Sequence, residues 1–165
     1  MTVKLQRVRP CFWFDDRAEE AVAFYTMIFP DSSIGRVVRY TKEGAEVAGR
    51  PAGSVMSIAF QLDGQDYTAL NGGPLFKFSE ALSLAIHCET QAEVDHYWER
   101  LGEGGDPKAQ QCGWLKDQFG VSWQVVPTLL PRLLGDMDPE RARRTATAMF
   151  KMKKLDIEAL RAAAG

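Results

Sequence analysis

Asp16-Arg17-Ala18-Glu19 and Thr90-Gln91-Ala92-Glu93 follow one pattern, 74 positions apart. In each, a short polar side chain stands three residues ahead of a Glu, the signature of a capping box that satisfies the free N–H groups of a helix start. Each follows a short apolar run and precedes a segment of helical periodicity. At the same offset Phe24 falls on Trp98 and Met27 on Leu101, while 9–14 align with 83–88. A second echo closes each half. Gly64-Gln65-Asp66-Tyr67-Thr68 and Gly120-Val121-Ser122-Trp123-Gln124 share a glycine turn, an aromatic three places on and a polar residue after it. The chain therefore reads as a duplicated strand–helix–strands unit, and residues at matching positions mark where a site lies.

The 165 residues suit one domain built of two small modules, and 45% hydrophobic content is that of an ordinary globule. A formal charge of −2 with scattered Lys and Arg provides no basic field, which argues against nucleic acid as a partner. No apolar stretch approaches a membrane span, so no membrane partner is expected. Residues 1–7 lack the apolar core of a signal peptide, which leads to a cytoplasmic expectation. Cys11, Cys88 and Cys112 are an odd set without CxxC spacing and read as reduced thiols.

Along the first half, 8–14 read as a strand and 17–29 as a helix with Ala18, Ala21, Val22, Tyr25 and Ile28 on its apolar face. A strand follows at 36–40, then a loop over 41–53. Residues 55–62 and 65–70 form a hairpin through Asp63-Gly64. In the second half a strand at 82–88 leads into a helix from Thr90 to about Leu101. A polar loop spans 102–111, and a hairpin joins 112–116 to 121–126. Beyond Pro127 the pattern changes. Asp138-Pro139-Glu140 is a strong helix start, opening a helix to about Lys153, and Asp156 caps another. This helical tail, 136–165, is expected to pack on its own sheet or to contribute to a homodimer.

Pro10-Cys11-Phe12-Trp13-Phe14, Ala69-Leu70-Asn71-Gly72-Gly73-Pro74 and Gln111-Cys112-Gly113-Trp114-Leu115-Lys116-Asp117 resemble the PhnB-like branch of the vicinal oxygen chelate superfamily. That superfamily includes glyoxalases, bleomycin-resistance proteins and extradiol dioxygenases, and this branch often bears the name 3-demethylubiquinone-9 3-methyltransferase. The resemblance implies an α+β fold of two tandem βαβββ modules, at 5–74 and 79–128, forming a curled mixed sheet within a single domain over 1–165.

The superfamily's usual chemistry uses a divalent metal as a Lewis acid, held by His and Glu on inward-facing strands. By motif those positions fall at Arg9 or Pro10, Ser83, Thr68 and Gln124, none of them a good zinc, iron or manganese ligand. The expectation is therefore no metal and no other cofactor. Methyl transfer from a nucleoside donor would call for a glycine-rich strand-to-helix turn, and neither Gly72-Gly73 nor Gly104-Gly105 opens a helix.

Alternation places Arg9, Cys11 and Trp13 on one strand face, with Ser83, Ala85 and His87 on the matching face and Ser122, Gln124 and Val126 completing the set. These would line a weakly polar, aromatic cavity for a small organic ligand. His87 is the candidate general base, or else a hydrogen-bonded strand-end histidine. Trp114 and Trp123 are ligand-stacking or core aromatics, and Cys112 is a weak nucleophile candidate. Asn71 presents its amide to a ligand or forms a turn. The expected function is metal-independent binding of a small organic molecule with an unspecified reaction. The alternative is sequestration without catalysis, as in bleomycin-resistance proteins.

Overall fold

A computed structural model describes residues 6–165, so the residue-5 start of the first module lies outside it. The chain divides into two compact units, the first ending at Lys77 and the second beginning at Phe78.

The first unit runs β1 (Cys11–Phe14), α1 (Ala18–Ile28), β2 (Ser33–Arg39), α2 (Lys42–Ala48), β3 (Val55–Leu62) and β4 (Gln65–Asn71). Its sheet has the order β1-β4-β3-β2, with β1 parallel to β4 and the other pairs antiparallel. All five apolar positions expected on α1 are buried. They meet one sheet face, on which Phe12, Phe14, Ile58, Phe60, Leu62 and Ala69 are also buried. Burying each large side chain contributes about 1.5–3 kcal/mol, so this layer holds the unit together. Strand alternation turns Cys11, Trp13, Ser57, Ala59, Gln61, Asp66, Thr68 and Leu70 to the opposite, open face. The Asp63-Gly64 turn forms as expected, with φ of 49° and 71°, the paired positive values of a primed hairpin turn.

Three local expectations fail here. The first strand is only Cys11–Phe14, and Val8 is 85% exposed. The expected 41–53 loop contains α2, capped by Thr41, whose Oγ1 accepts from Gly44 N–H, and closed by Gly49 at φ 64°. Only Ala45 of α2 is buried, so no apolar stripe betrays it in the sequence. Third, Asp16 does not cap α1. The N-cap is Arg17, which makes no side-chain cap bond; Asn71 Oδ1 on β4 instead accepts from Ala18 N–H at 2.8 Å.

The second unit runs β5 (Leu84–Cys88), α3 (Gln91–Gly102), β6 (Trp114–Lys116), β7 (Ser122–Pro127), α4 (Leu130–Leu134), α5 (Pro139–Met149) and α6 (Ile157–Ala164). Its sheet order is β5-β7-β6, with β5 parallel to β7 and β6 antiparallel. Among the described residues no strand stands between α3 and β6, so this unit lacks the counterpart of β2 that a full βαβββ module carries. The 103–113 segment instead holds a short 3-10 turn at Pro107–Ala109, and Gly105 runs against the Lys116 carbonyl too closely for any Cβ. Thr90 does form its capping box: its side chain accepts from Glu93 N–H, and Glu93 returns a bond to Thr90 N–H at 3.0 Å. Those backbone bonds hold the Glu93 carboxyl below its usual range.

The tail is built onto this unit. Leu130, Leu155 and Leu160 form a buried cluster joined by Val126, Leu133, Met149 and Met152. Gln111–Trp114 is a tight hairpin whose two central residues have φ of 53° at Cys112 and 83° at Gly113. Their N–H groups donate to the Met152 and Lys153 carbonyls at 2.9 and 2.8 Å. Gln91 adds a second tie, donating to Leu155 O and accepting from Ile157 N–H. The expected 138–153 helix stops at Met149, because Phe150–Lys154 turns back to make these contacts.

Candidate functional site

On the open face of the first unit, Trp13 is half-buried and its indole N–H donates to Gly73 O at 2.9 Å. The ring lies flat against Gly72, where an added Cβ would overlap it, and Phe76 meets it edge-on at 5.0 Å. Trp13 thus clamps the Asn71-Gly72-Gly73 turn besides facing the open side. Gly72→Ala should force the indole off this seat, costing about 1–3 kcal/mol. The check is a lowered Tm together with a red-shifted tryptophan emission; unchanged emission would refute the clamp.

Asn71, expected as a ligand contact, is 3% exposed and committed to the fold. Besides capping α1 it donates from Nδ2 to Val55 O at 3.1 Å and to Glu19 Oε2 at 2.8 Å, and its carbonyl accepts from Tyr40 O–H at 2.8 Å. Being buried, this amide has to be satisfied internally, and the helix start that lacks a local cap consumes it.

Arg9 lies at the mouth of this face, bonded from Nη2 to Asp66 Oδ2 at 2.5 Å. Cys11 is exposed, and desolvation raises its thiol pKa. Burial pushes the Cys88 thiol up to about 12, with the Glu93 carboxylate adding to it, so this sulfur stays protonated at neutral pH. Cys112 serves the hairpin tip through its backbone, and its Sγ accepts from Gln111 Nε2 at 3.3 Å.

In the second unit the register puts Ala85 and Trp114 beside Gln124, and His87 beside Val126. Of the expected set, Ala85, His87, Ser122, Gln124 and Val126 share a face by this pairing, and Ser83 stands just ahead of β5. Gln124 Nε2 donates to Ser83 Oγ at 2.8 Å. Trp114 is half-buried on this face, whereas Trp123 points to the helix side and is 2% exposed. His87 is exposed and has no hydrogen-bond partner among the described residues. Ser122, sequestered at 2% exposure, leaves its Oγ without a partner. Val126 belongs to the tail's apolar cluster, which removes it from any ligand surface.

Sequence reasoning missed Asp66 and Gln61. Asp66 accepts from Gln61 Nε2 at 2.7 Å as well as from Arg9, and Gln6 brackets its backbone, accepting from Asp66 N–H and donating to Asp66 O. The alternation of β3 and β4 puts both residues on the open face, but the strand reading of 55–62 and 65–70 singled out neither.

The registers also test the internal repeat. Cys11 pairs with Thr68 as Ala85 pairs with Gln124, and Phe14 with Asn71 as Cys88 with Pro127. Thr68 and Gln124 are therefore equivalent positions. Residues 6–126 match the model of the 3-demethylubiquinone-9 3-methyltransferase family. The chain belongs to that family. The PhnB protein from Bacillus cereus is 32% identical, with a TM-score of 0.63 over 74% of this chain and 100% of its own. Protein PA1353 from Pseudomonas aeruginosa is 19% identical, covering 75% of this chain and 98% of its own at a TM-score of 0.56. A variant of the fosfomycin resistance protein FosX from Listeria monocytogenes, complexed with Mn(II) and a dihydroxypropylphosphonic acid, is 20% identical. It covers 81% of this chain and 99% of its own at a TM-score of 0.53. No curated protein matches the chain. The fold of this 3-demethylubiquinone-9 3-methyltransferase family member is that of the vicinal oxygen chelate superfamily.

The divalent metal that this superfamily implies does not fit these residues. The equivalent positions carry a hydroxyl at Thr68 and an amide at Gln124. The Gln124 N–H₂ points at Ser83, turning a donor toward the place where a ligand atom would have to offer a lone pair. Among the described residues no three His, Cys, Asp or Glu side chains gather into a metal-binding group. No helix of the described chain is long and apolar enough to cross a membrane.

Proposed function

We propose that this protein binds a small organic molecule on the open faces of its sheets without a resident divalent metal. The Gln124–Ser83 hydrogen bond supports this reading most directly. It joins a neutral amide on β7 to a hydroxyl at the head of β5, whereas the superfamily's chemistry needs a carboxylate and an imidazole. His87 adds to it: an exposed imidazole without an acid partner is poorly equipped for proton transfer, which favours binding over catalysis.

Methyl transfer, which the family name suggests, has little support in the local chemistry. The strand-to-helix turns Asp15-Asp16-Arg17, Tyr40-Thr41, Glu89-Thr90 and Thr128-Leu129 all lack glycine, and each sheet mixes parallel with antiparallel pairs. The nucleoside-binding arrangement is an alternating parallel one with a glycine-rich first turn. A cytoplasmic homodimer remains part of the proposal.

Elemental analysis with native mass spectrometry of the purified protein checks the reading. The expected result is no stoichiometric transition metal and a dimer mass carrying any retained organic molecule. One manganese, iron or zinc per chain, lost on Gln124→Ala, would overturn it.

A further inference from the structure

The first unit contains a niche that shares Arg9 with the positions where the superfamily would hold a metal but is otherwise lined by residues outside that set. The β2–β3 ladder slips between Ile34↔Phe60 and Val37↔Ile58, so Gly35 and Arg36 together oppose Ala59. Such a bulge bends its strand away from its neighbour. The space beside it is a cavity of about 210 Å³ lined by Arg9, Ser33, Gly35, Ala59, Gln61 and Asp66. Two of these keep it open by being small. A Cβ on Gly35 would come within 3.1 Å of Ala59 O, tighter than an ordinary contact.

Its polar wall is held rigidly. Asp66 is fixed through its backbone by both ends of the Gln6 amide and through its carboxylate by Gln61 and Arg9. Asp66 thereby ties down two of the side chains that line the cavity. Gln61 spends an N–H on Asp66 and keeps Oε1 as a free acceptor. Arg9 spends Nη2 on Asp66, and its remaining guanidinium N–H groups have no acceptor among the described residues. A guanidinium with an unused edge is the group best shaped for a planar anion.

The geometry points to a binding site for a small organic monocarboxylate carrying a hydroxyl or amide N–H beside its carboxylate. Arg9 takes the carboxylate, while Gln61 Oε1 and Ser33 Oγ meet the neighbouring polar group. Two observations narrow the ligand. The cavity falls below the roughly 300–1,000 Å³ of drug-sized sites, so the molecule is small. The Arg9–Asp66 pair carries no net charge, so a dianion gives up more hydration than the site repays, and a monoanion is favoured over phosphate. The inference rests on the reading of the open face as a ligand surface and names the chemistry of that ligand.

The test is titration of the isotope-labelled full chain with L-lactate, lactamide and inorganic phosphate, followed by amide resonances. Lactate should shift the Gly35 backbone and Gln61 side-chain signals saturably, and lactamide should not. Arg9→Gln should weaken lactate about tenfold or more, the loss expected for a charge-assisted hydrogen bond. Arg9→Lys, which keeps the charge without the fork, should recover only part of it. Arg9 is at the surface, so an unchanged spectrum elsewhere in either variant controls for folding. No lactate response in the wild type, equal binding by Arg9→Gln, or phosphate binding tighter than lactate would each overturn the proposal. A stoichiometric metal would strike only the metal-free reading, and an organic molecule retained equally by Arg9→Gln would strike only this one.

Discussion

Asp117→Ala is expected to lower the stability of the second unit by about 3 kcal/mol or more, read as the shift in its urea midpoint. Asp117 is 3% exposed, and its carboxylate accepts from Phe119 N–H at 2.8 Å, Val121 N–H at 3.0 Å and Trp123 Nε1–H at 2.8 Å. The first two shape the turn between β6 and β7. The third anchors the largest fully buried side chain of the unit. Alanine removes the acceptor while the donors stay buried, and each unmatched donor costs about 1–3 kcal/mol. Asp117→Asn separates the parts. Its amide oxygen still serves the turn, but its N–H₂ faces the indole N–H, so it should lose about half as much as alanine does. A loss below ~1 kcal/mol for alanine would mean that the turn stands without its carboxylate.

The second large effect is at Asn71. Asn71→Ala should cost about 2–3 kcal/mol, because the α1 cap and the Val55 carbonyl lose their partners together. Asn71→Asp is the sharper experiment. It keeps an oxygen for Ala18 N–H yet places a second carboxylate oxygen against Val55 O and Glu19 Oε2, 3.1 and 2.8 Å from the present Nδ2. At neutral pH this variant should be less stable than Asn71→Ala. Below the carboxylate range one of the two acids takes a proton, which can bridge them, and the order should reverse. The same ranking at both pH values in thermal unfolding would argue against the contact with Glu19.

The repeat was legible because its markers are local. Thr90 and Glu93 speak to each other within one turn of helix, and Asp63-Gly64 dictates its own turn. The α1 start was misread for the converse reason: the side chain that caps Ala18 N–H stands 53 residues away. The short α2 escaped as well, since only Ala45 of it is buried, whereas the polar loop read over 102–111 already left the second unit one strand short of the module that the resemblance implied. At the candidate site, alternation agrees with the registers in putting Cys11 and Trp13 on one face and, on the other unit, Ala85, His87 and Gln124, while Arg9 and Ser83 stand just ahead of their strands. It was silent on what each side chain does there. Trp13 and Asn71 turned out to spend their polar atoms on the Asn71–Gly73 turn and on α1, and those partners are set by parallel pairing of strands far apart in sequence.

The two halves also solve one problem differently. Asn71 and Pro127 hold the same register position, opposite Phe14 and Cys88. Proline has no amide to lend, and the helix facing it, α3, carries its own capping box. Once one half supplies its helix cap locally, its last strand is free to end in a residue that stops the sheet.

The slip in β2 has a bearing on how the molecule behaves among its own copies. All seven residues of β2 are exposed at the sheet edge, Ile34, Val37 and Val38 among them, a stretch that invites another chain to add a strand. A ladder that loses step at Gly35, and again between Val38 and Arg39, offers no straight run of paired donors and acceptors, and Arg36 and Arg39 set like charges against an identical strand. Straightening that edge by deleting Gly35 would exchange a soluble surface for a template, and the protein would be expected to leave solution as aggregates rich in β-structure.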